Sequence, residues 1–247
     1  MTIVYEERLS DSPCVETIMY GQTVRAGSTI RPAESHWHLI LTRHDGIVQQ
    51  LVVGPLTTAG VVSWGGDAEI LWIKLKLGTF MPHLPIPSLL DRETVLPEAG
   101  SQSFWLNGSA WQFPDFENAD TFIDRLVRRD VLAHDPLVSA ALQDELPAMP
   151  SRTVRHRFLR ATGLSQNTVR QMQRAQQARA LLEQGVSILD TVDEAGYFDQ
   201  PHLTRSLKQF IGYTPAQIVR MCQPACHSVQ DTILEVNYDT GVLEAIG

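Results

Sequence analysis

The segment at residues 195–207 constrains the fold most, because a glycine, an acidic residue and a proline stand there at fixed offsets. Gly196 lacks a Cβ and can take the positive φ of a tight turn. Asp199 can cap a following helix with its carboxylate, and Pro201 fits the first helical turn, where its missing donor costs nothing. An apolar stripe at helical spacing follows, formed by Leu203, Leu207 and Phe210. We therefore predict a tight turn followed by a helix with one buried face.

The opposite side of this predicted helix is polar. It carries Gln200, His202, Thr204, Arg205 and Lys208. Amide and guanidinium groups on the outer face of a short helix suit base edges and phosphates in a major groove. The segment therefore indicates the turn and second helix of a helix-turn-helix.

A second segment of the same design lies upstream. Ser151 is its expected N-cap and Gly163 its expected stop. The predicted buried stripe is Val154, Phe158 and Ala161, and the surrounding polar residues are Arg152, Arg155, His156, Arg157 and Arg160. Between the two segments a long helix is predicted at 165–183, ending at Gly185. Its expected core face is Val169, Met172, Ala175, Ala178 and Leu182.

Two such units joined by a long helix resemble the DNA-binding domain of AraC/XylS-type transcription regulators. The resemblance covers about residues 119–221. The matching residues are Gly163, the helix at 170–182, Gly196-Tyr197, residues 199–205, Phe210-Ile211-Gly212 and Thr214-Pro215. Two features depart from the pattern: many family members carry Arg where this chain has His156, and residues 146–150 lack the usual turn glycine.

The resemblance implies an α+β chain of two domains. A cupin-like β barrel at residues 1–118 would serve sensing or dimerisation, and an all-α domain at 119–221 would bind DNA through two helix-turn-helix units joined by the long helix. Residues 222–247 would form a tail. The implied function is sequence-specific transcription regulation in bacteria, without enzymatic activity and under small-molecule control. The implied partners are double-stranded DNA, an effector, RNA polymerase if the protein activates, and a second copy of the chain if it dimerises.

The charges are divided unevenly along the chain, whose net charge is −8. Residues 1–150 hold 10 basic and 19 acidic side chains, whereas residues 151–221 hold 10 basic and 5 acidic ones. Residues 222–247 hold 4 acidic side chains and no basic one. An acidic chain with one basic region is typical of a protein that binds the phosphates of a nucleic acid through a single face.

The sequence also indicates where the chain works. No stretch approaches the ~20 consecutive apolar residues that a membrane span needs. The first ten residues lack the apolar core of a signal peptide, and three cysteines make no disulfide framework. We therefore expect a cytoplasmic protein with no membrane partner.

The amino-terminal half has the short alternating runs of β-strands. The predicted strands are 37–41, 47–53, 61–64 and 69–77, with a hairpin turn at Gly65-Gly66-Asp67. In the last strand the leucines and Ile73 would face one side, and Trp72 and two lysines the other. The pattern indicates a barrel or double-sheet domain and does not by itself separate a cupin-like barrel from another small β fold. Helices are predicted next, at 116–131 and 136–146.

The polar faces of the two segments supply the expected DNA contacts. Arg pairs well with guanine O6 and N7, and Gln with adenine N6 and N7. The expected base contacts are Arg152, Arg155, His156, Gln200, His202 and Arg205. The side chains expected to hold phosphates and fix the register are Arg157, Arg160, Thr204 and Lys208.

All five tryptophans lie in the amino-terminal half. Aromatic rings line small-molecule pockets and also fill ordinary β cores, so both roles stay open. The tryptophans expected at an effector site are Trp37, Trp64 and Trp72.

Three histidines suggest an alternative function. His36 and His38 form an HxH pair, and His44 shares their parity. A cupin-like metalloenzyme with an accessory helical domain would need them as ligands. The carboxylate that such a motif needs is missing, because residues 42 and 43 are Thr and Arg. We therefore expect no metal or other cofactor.

The tail holds a second candidate cluster, Cys222, Cys226 and His227. Two thiols and an imidazole could bind zinc or sense redox state, but in a tail they are more often incidental. A third reading of the helical half, a protein-interaction module without a DNA role, leaves the recurring base-reading side chains unexplained.

Overall fold

The computed structural model describes residues 3–84, 89–145 and 148–222. Its strands are β1 (Ile3–Leu9), β2 (Val15–Thr23), β3 (Gly27–Arg31), β4 (His38–His44), β5 (Ile47–Val53), β6 (Gly60–Trp64), β7 (Glu69–Leu75), β8 (Thr79–Phe80), β9 (Glu93–Val95), β10 (Glu98–Gly100), β11 (Ser103–Leu106), β12 (Ser109–Gln112) and β13 (Ala133–His134). Its helices are α1 (Ala119–Arg128), α2 (Leu137–Leu142), α3 (Ser151–Thr162), α4 (Gln166–Glu183), α5 (Ile188–Glu194), α6 (Gln200–Phe210) and α7 (Pro215–Cys222).

A β-rich region therefore precedes a helical one, as expected. None of the helices in the described ranges is long and apolar enough to cross a membrane.

The main sheet has six antiparallel strands in the order β1-β2-β7-β4-β5-β9. Three smaller sheets pair β3 with β6, β8 with β13, and β10 with β11 and β12. The expected closed barrel is wrong for the part of the chain that the structure describes. β3 and β6 pair with each other instead of joining the main sheet, so β1 and β9 remain its two edges.

The hairpin predicted at Gly65-Gly66-Asp67 is also wrong. β6 pairs with β3, whereas β7 lies between β2 and β4, so the segment crosses from one sheet to another. Its end is fixed by a hydrogen bond of 2.8 Å from the Asp67 amide to the Thr23 carbonyl. Tight hairpins form instead at Asp45-Gly46 and Asn107-Gly108, where both residues of each pair have positive φ.

β7 lies at the centre of the β region. Leu71, Ile73 and Leu75 pack into the larger core of the strands, as the alternation predicts. The opposite face is buried as well: Trp72 belongs to a smaller apolar cluster, and Lys74 is only 7% exposed. The predicted alternation is therefore correct from Leu71 to Leu75, where both faces are buried. The strand ends before Lys76, which is exposed, and before Leu77, which packs against a different apolar cluster.

α1 packs in the core of the strands. Its buried residues Phe122, Ile123 and Leu126 join that core, and Asp120 binds Arg8 of β1 at 2.6 Å. The helix is shorter than the predicted 116–131, and it follows the domain boundary expected near residue 118. That boundary stays a prediction, although the first helix beyond it shares its core with the strands.

The remaining helices share a second core. The predicted stripes of α3, α4 and α6 are all buried in it, together with Ala33 and Phe80 from the β region. Ser165, Ser187 and Asp199 cap α4, α5 and α6 by accepting hydrogen bonds from backbone amides. α3 differs from expectation, because Ser151 is its first residue and Pro150 occupies the cap position without a side-chain hydrogen bond.

The β region and the helices are joined by backbone hydrogen bonds. The Ala33 amide donates to the Phe210 carbonyl at 2.7 Å, and the Ala59 amide donates to the Gln209 carbonyl at 2.8 Å. Gly212 follows with φ +87°, and a Cβ there would stand 2.4 Å from Cγ2 of Ile30. The end of α6 therefore lies directly against β3.

Candidate functional site

α6 presents a polar outer face of the predicted kind. Asp199 accepts a 2.6 Å hydrogen bond from the His202 amide, which fixes the start of the helix. Leu203 and Leu207 are fully buried, so the helix can turn only one face outward. That face exposes Gln200, Arg205 and Lys208, with His202 and Thr204 half-buried beside them.

The turn before α6 is braced by contacts that sequence reasoning missed. Gly196 takes the left-handed conformation at φ +68°, and Arg174 of α4 donates to its carbonyl at 3.3 Å. The Arg174 guanidinium also lies 4.7 Å from the centre of the Tyr197 ring. The Tyr197 hydroxyl is bonded to Ser206 at 2.9 Å, and the His202 ring meets the Tyr197 ring edge-on. These contacts tie α4, the turn and α6 into one unit.

α3 presents the matching face of the upstream segment. Arg152, Arg155 and His156 are exposed, whereas Val154 and Phe158 are buried beneath them. α3 therefore shows the same division into a buried stripe and an exposed basic face as α6.

The two remaining arginines of α3 contact the β region and its continuation. Asp135, which follows β13, accepts two hydrogen bonds from Arg157, at 2.9 and 2.6 Å, and raises the pKa of Arg157. The Arg160 guanidinium is exposed and lies 5.5 Å from the centre of the Phe80 ring. Arg157, predicted as a phosphate contact, is therefore occupied by an internal ion pair.

A cavity of about 580 Å³ lies between the β region and α4. Its walls come from β1, β2, β3, the segment leading into β4, β7 and α4. The charged side chains that line it include Glu16, Arg31, Glu34, His36, Lys74 and Arg179. A cavity of this size suits a small molecule.

His36 lies between two carboxylates in this cavity. Its Nδ1 is bonded to Glu34, and its Nε2 lies 3.1 Å from Glu16. Burial by itself would lower the pKa of His36, but the two carboxylates outweigh it and raise that pKa to about 9. Burial also opposes ionisation of Glu34, yet His36 and Lys74 hold the pKa of Glu34 well below its usual range. Lys74 completes the cluster, 3.4 Å from Glu16 and 3.5 Å from Glu34.

His38 is completely enclosed and neutral. Burial holds its pKa well below the usual range. The Trp72 indole donates a 2.7 Å hydrogen bond to Nδ1 of His38, so the ring proton must sit on Nε2. That Nε2 has no hydrogen-bond partner, and neither has Nη2 of Arg31. Burial lowers the pKa of Arg31 to about 10, which leaves Arg31 a cation at neutral pH.

The predicted effector-site tryptophans are separated by the fold. Trp72 lines the cavity. Trp37 is 2% exposed and packs in the core of the strands, and the Trp64 ring lies over Gly27. Of the residues that line the cavity, His36 and His38 were considered from the sequence only as possible metal ligands, and Glu34, which shares their parity, was not considered.

The three histidines of the alternative function have separate partners. His36 is held by carboxylates and His38 by Trp72, while His44 lies beside Asp45 at the other end of β4. No group of three or more metal-binding side chains occurs in the described ranges. The metalloenzyme alternative thus has no support from this part of the chain. Cys222 is exposed at the end of α7, and Cys226 and His227 lie outside the described residues.

Comparison with known proteins identifies the helical region. Residues 147–221 match a family model described as a helix-turn-helix domain. No match was found among curated proteins or among solved structures. The matched range includes α3 and α6 with their polar faces. The matched domain is of the AraC type, which agrees with the resemblance found for this part of the chain.

Proposed function

We propose that the protein binds a specific operator through two recognition helices, α3 and α6. The observation that carries this proposal is the repeated division of these helices into a buried apolar stripe and an exposed face of Arg, His and Gln. Two helices of this kind would enter successive major-groove segments about one helical turn apart on one face of the DNA. α4, 18 residues long, would set their separation.

The residues of the two polar faces divide into base readers and phosphate contacts. On α3 the base readers are Arg152, Arg155 and His156, and on α6 they are Gln200, His202 and Arg205. Phosphates would be held by Arg160, Thr204 and Lys208. We reassign Arg157 to positioning, because its guanidinium is bonded through two nitrogens to Asp135.

The charge distribution supports a single DNA-facing side. Residues 151–221 hold twice as many basic as acidic side chains, and residues 1–150 have the opposite excess. Phosphate backbones attract the first region and repel the second. The β region would therefore lie away from the duplex.

We also propose that a small molecule controls DNA binding. The cavity lies where β2, β3 and β7 meet α4, the helix between the two recognition units. A ligand that contacts both walls favours the arrangement in which they are close together. The ligand would raise the DNA affinity if this arrangement fits the operator better than the unliganded one does. It would lower the DNA affinity if this arrangement fits the operator worse.

The proposed function is tested by selection from a randomised duplex-DNA library with the purified full chain. We expect enrichment of two short sequence blocks about ten base pairs apart. The double variant Arg155→Ala/Arg205→Ala should lose the enriched blocks. Arg43→Ala, which alters an exposed arginine of β4, should retain them. Binding without any enriched sequence, by the wild type with and without cell-extract metabolites, would refute sequence-specific recognition.

A further inference from the structure

We propose that the cavity between the β region and α4 binds a small organic carboxylate, whose oxygens accept hydrogen bonds from Arg31 and His38. The part of this inference that concerns regulation rests on the proposed function. The part that concerns binding stands on the cavity alone.

The cavity wall contains two donors and lacks acceptors for them. Nη2 of Arg31 and Nε2 of His38 are both buried and have no hydrogen-bond partner. The Trp72–His38 hydrogen bond makes Nε2 a donor, and a guanidinium nitrogen can only donate. Buried polar groups are nearly always satisfied in folded proteins. An acceptor that presents oxygen lone pairs and no competing proton, as a carboxylate does, would satisfy both donors at once.

The cavity is lined by both acidic and basic side chains, and the donors Arg31 and His38 lie where an anion can be accommodated. Two carboxylates and two cations, in Glu16, Glu34, His36 and Lys74, already pair with one another. Arg31 adds a further, partly buried positive charge, and of the two carboxylates that act on it, Glu34 is shared with that cluster and Glu93 lies outside it. An added negative charge offsets the cost of burying the guanidinium. A multiply charged phosphate would in addition approach Glu16 and Glu34, so one negative charge fits best.

The rest of the cavity suits the body of an organic acid. Met19 and Trp72 supply apolar wall beside the two donors, and Tyr5 lies at the side formed by β1. Gln176 and Arg179 project from α4 on the facing wall. A volume of about 580 Å³ is in the range of small-molecule sites. A bound carboxylate would therefore touch the β region and α4 at once.

The binding test uses thermal unfolding of the full chain with acetate, hexanoate, benzoate and salicylate, each paired with its neutral primary amide. We expect at least one carboxylate to raise the Tm by about 5–10 °C at saturating concentration, and its amide to have little effect. Equal shifts from acid and amide, or a larger shift from inorganic phosphate, would overturn the assignment of a carboxylate site. No shift from any of the four acids would also overturn it.

A matched pair of variants locates the site. Arg31→Gln should weaken binding of the effective acid roughly tenfold or more, because it removes a charged donor. Arg43→Gln, which alters an arginine on the exposed side of β4, should leave binding unchanged. Equal affinity in the two variants would refute the assignment. If Arg31→Gln does not fold, the comparison of each acid with its amide on the wild type still tests whether the cavity binds a carboxylate.

The same samples separate this inference from the proposed function. The wild type is tested for operator selection with and without the effective acid. Selection that is unaffected by the acid would overturn its regulatory role and leave the DNA-binding proposal standing. A Tm shift without any sequence selection would refute the DNA-binding proposal and leave the carboxylate site standing.

Discussion

The Trp72 indole nitrogen donates a 2.7 Å hydrogen bond to Nδ1 of His38, and this contact determines which nitrogen of His38 carries the proton. The two rings meet edge-on, with their centres 5.2 Å apart. Both residues are buried, on neighbouring strands that pair in the main sheet. The hydrogen bond thus links the packing of the sheet to the chemistry of the cavity.

Trp72→Phe should lower the free energy of unfolding by roughly 1–3 kcal/mol, because Nδ1 of His38 would lose its donor in a buried position. Urea unfolding measures the change. Trp105→Phe is the control, since Trp105 is 46% exposed and should change stability by less than about 0.5 kcal/mol. Equal effects of the two substitutions would contradict the importance of the Trp72–His38 bond.

Stability should depend on pH through His36. The folded protein raises the pKa of His36 from 6.5 to about 9, so the imidazolium stabilises the fold fully below pH 6.5. That stabilisation is lost as the pH rises through about 9. Its upper limit is about 3 kcal/mol. Unfolding at pH 6 and pH 9.5 should show the loss in the wild type and in His156→Gln, an exposed control, but not in His36→Gln.

Gly212→Ala should disturb the contact between α6 and β3. Gly212 and Gly185 have nearly the same φ, +87° and +88°, so alanine meets the same backbone strain of ~1–2 kcal/mol at both. Only at position 212 would the new Cβ collide with Ile30, whereas nothing lies within 4 Å at Gly185. We expect Gly212→Ala to destabilise by about 1–3 kcal/mol more than Gly185→Ala in thermal or urea unfolding. Equal losses would mean that this contact does not form.

Arg205→Ala should reduce affinity for the selected operator by ~1–3 kcal/mol and relax the preference at one base pair. The side chain is exposed on the outer face of α6, and the proposed function gives it a bidentate contact to guanine. Titration of the operator and of its single-base variants by fluorescence anisotropy tests both parts. A uniform loss over all sequences would instead assign Arg205 to a phosphate.

Lys208→Ala should weaken binding to all sequences alike. Lys208 is exposed in the last turn of α6, and a phosphate contact contributes affinity without reading a base. The slope of log affinity against log salt concentration should fall in magnitude by about 1. Anisotropy titrations between about 50 and 200 mM salt measure it. An unchanged slope would place Lys208 away from the backbone.

The helical region was predictable because its signals are local. The left-handed glycines, the Asp199 cap and the apolar stripes act within one or two turns of a helix, and each was found as expected. The predicted Ser151 cap was wrong, because Ser151 is the first residue of α3 and Pro150 occupies the cap position.

The β region was harder, since strand pairing joins distant residues. The strand at Ile47–Val53 was predicted with its observed bounds, but the partners of β6 and β7 were not. A turn-forming triplet between two strands predicts a hairpin only if those strands pair. Here the strands before and after the triplet, β6 and β7, belong to different sheets. No residue near the triplet indicates which strands they pair with.

The sequence by itself determined the helices of the helix-turn-helix region and the polar faces of α3 and α6, because helix periodicity and helix caps depend on neighbouring residues. Only the tertiary structure brought Glu16, Arg31 and His38 from separate β segments to face Arg179 of α4. It also placed Arg157 against Asp135. Such groupings arise from packing between residues far apart in the chain, so their electrostatics cannot be derived from spacing along the sequence.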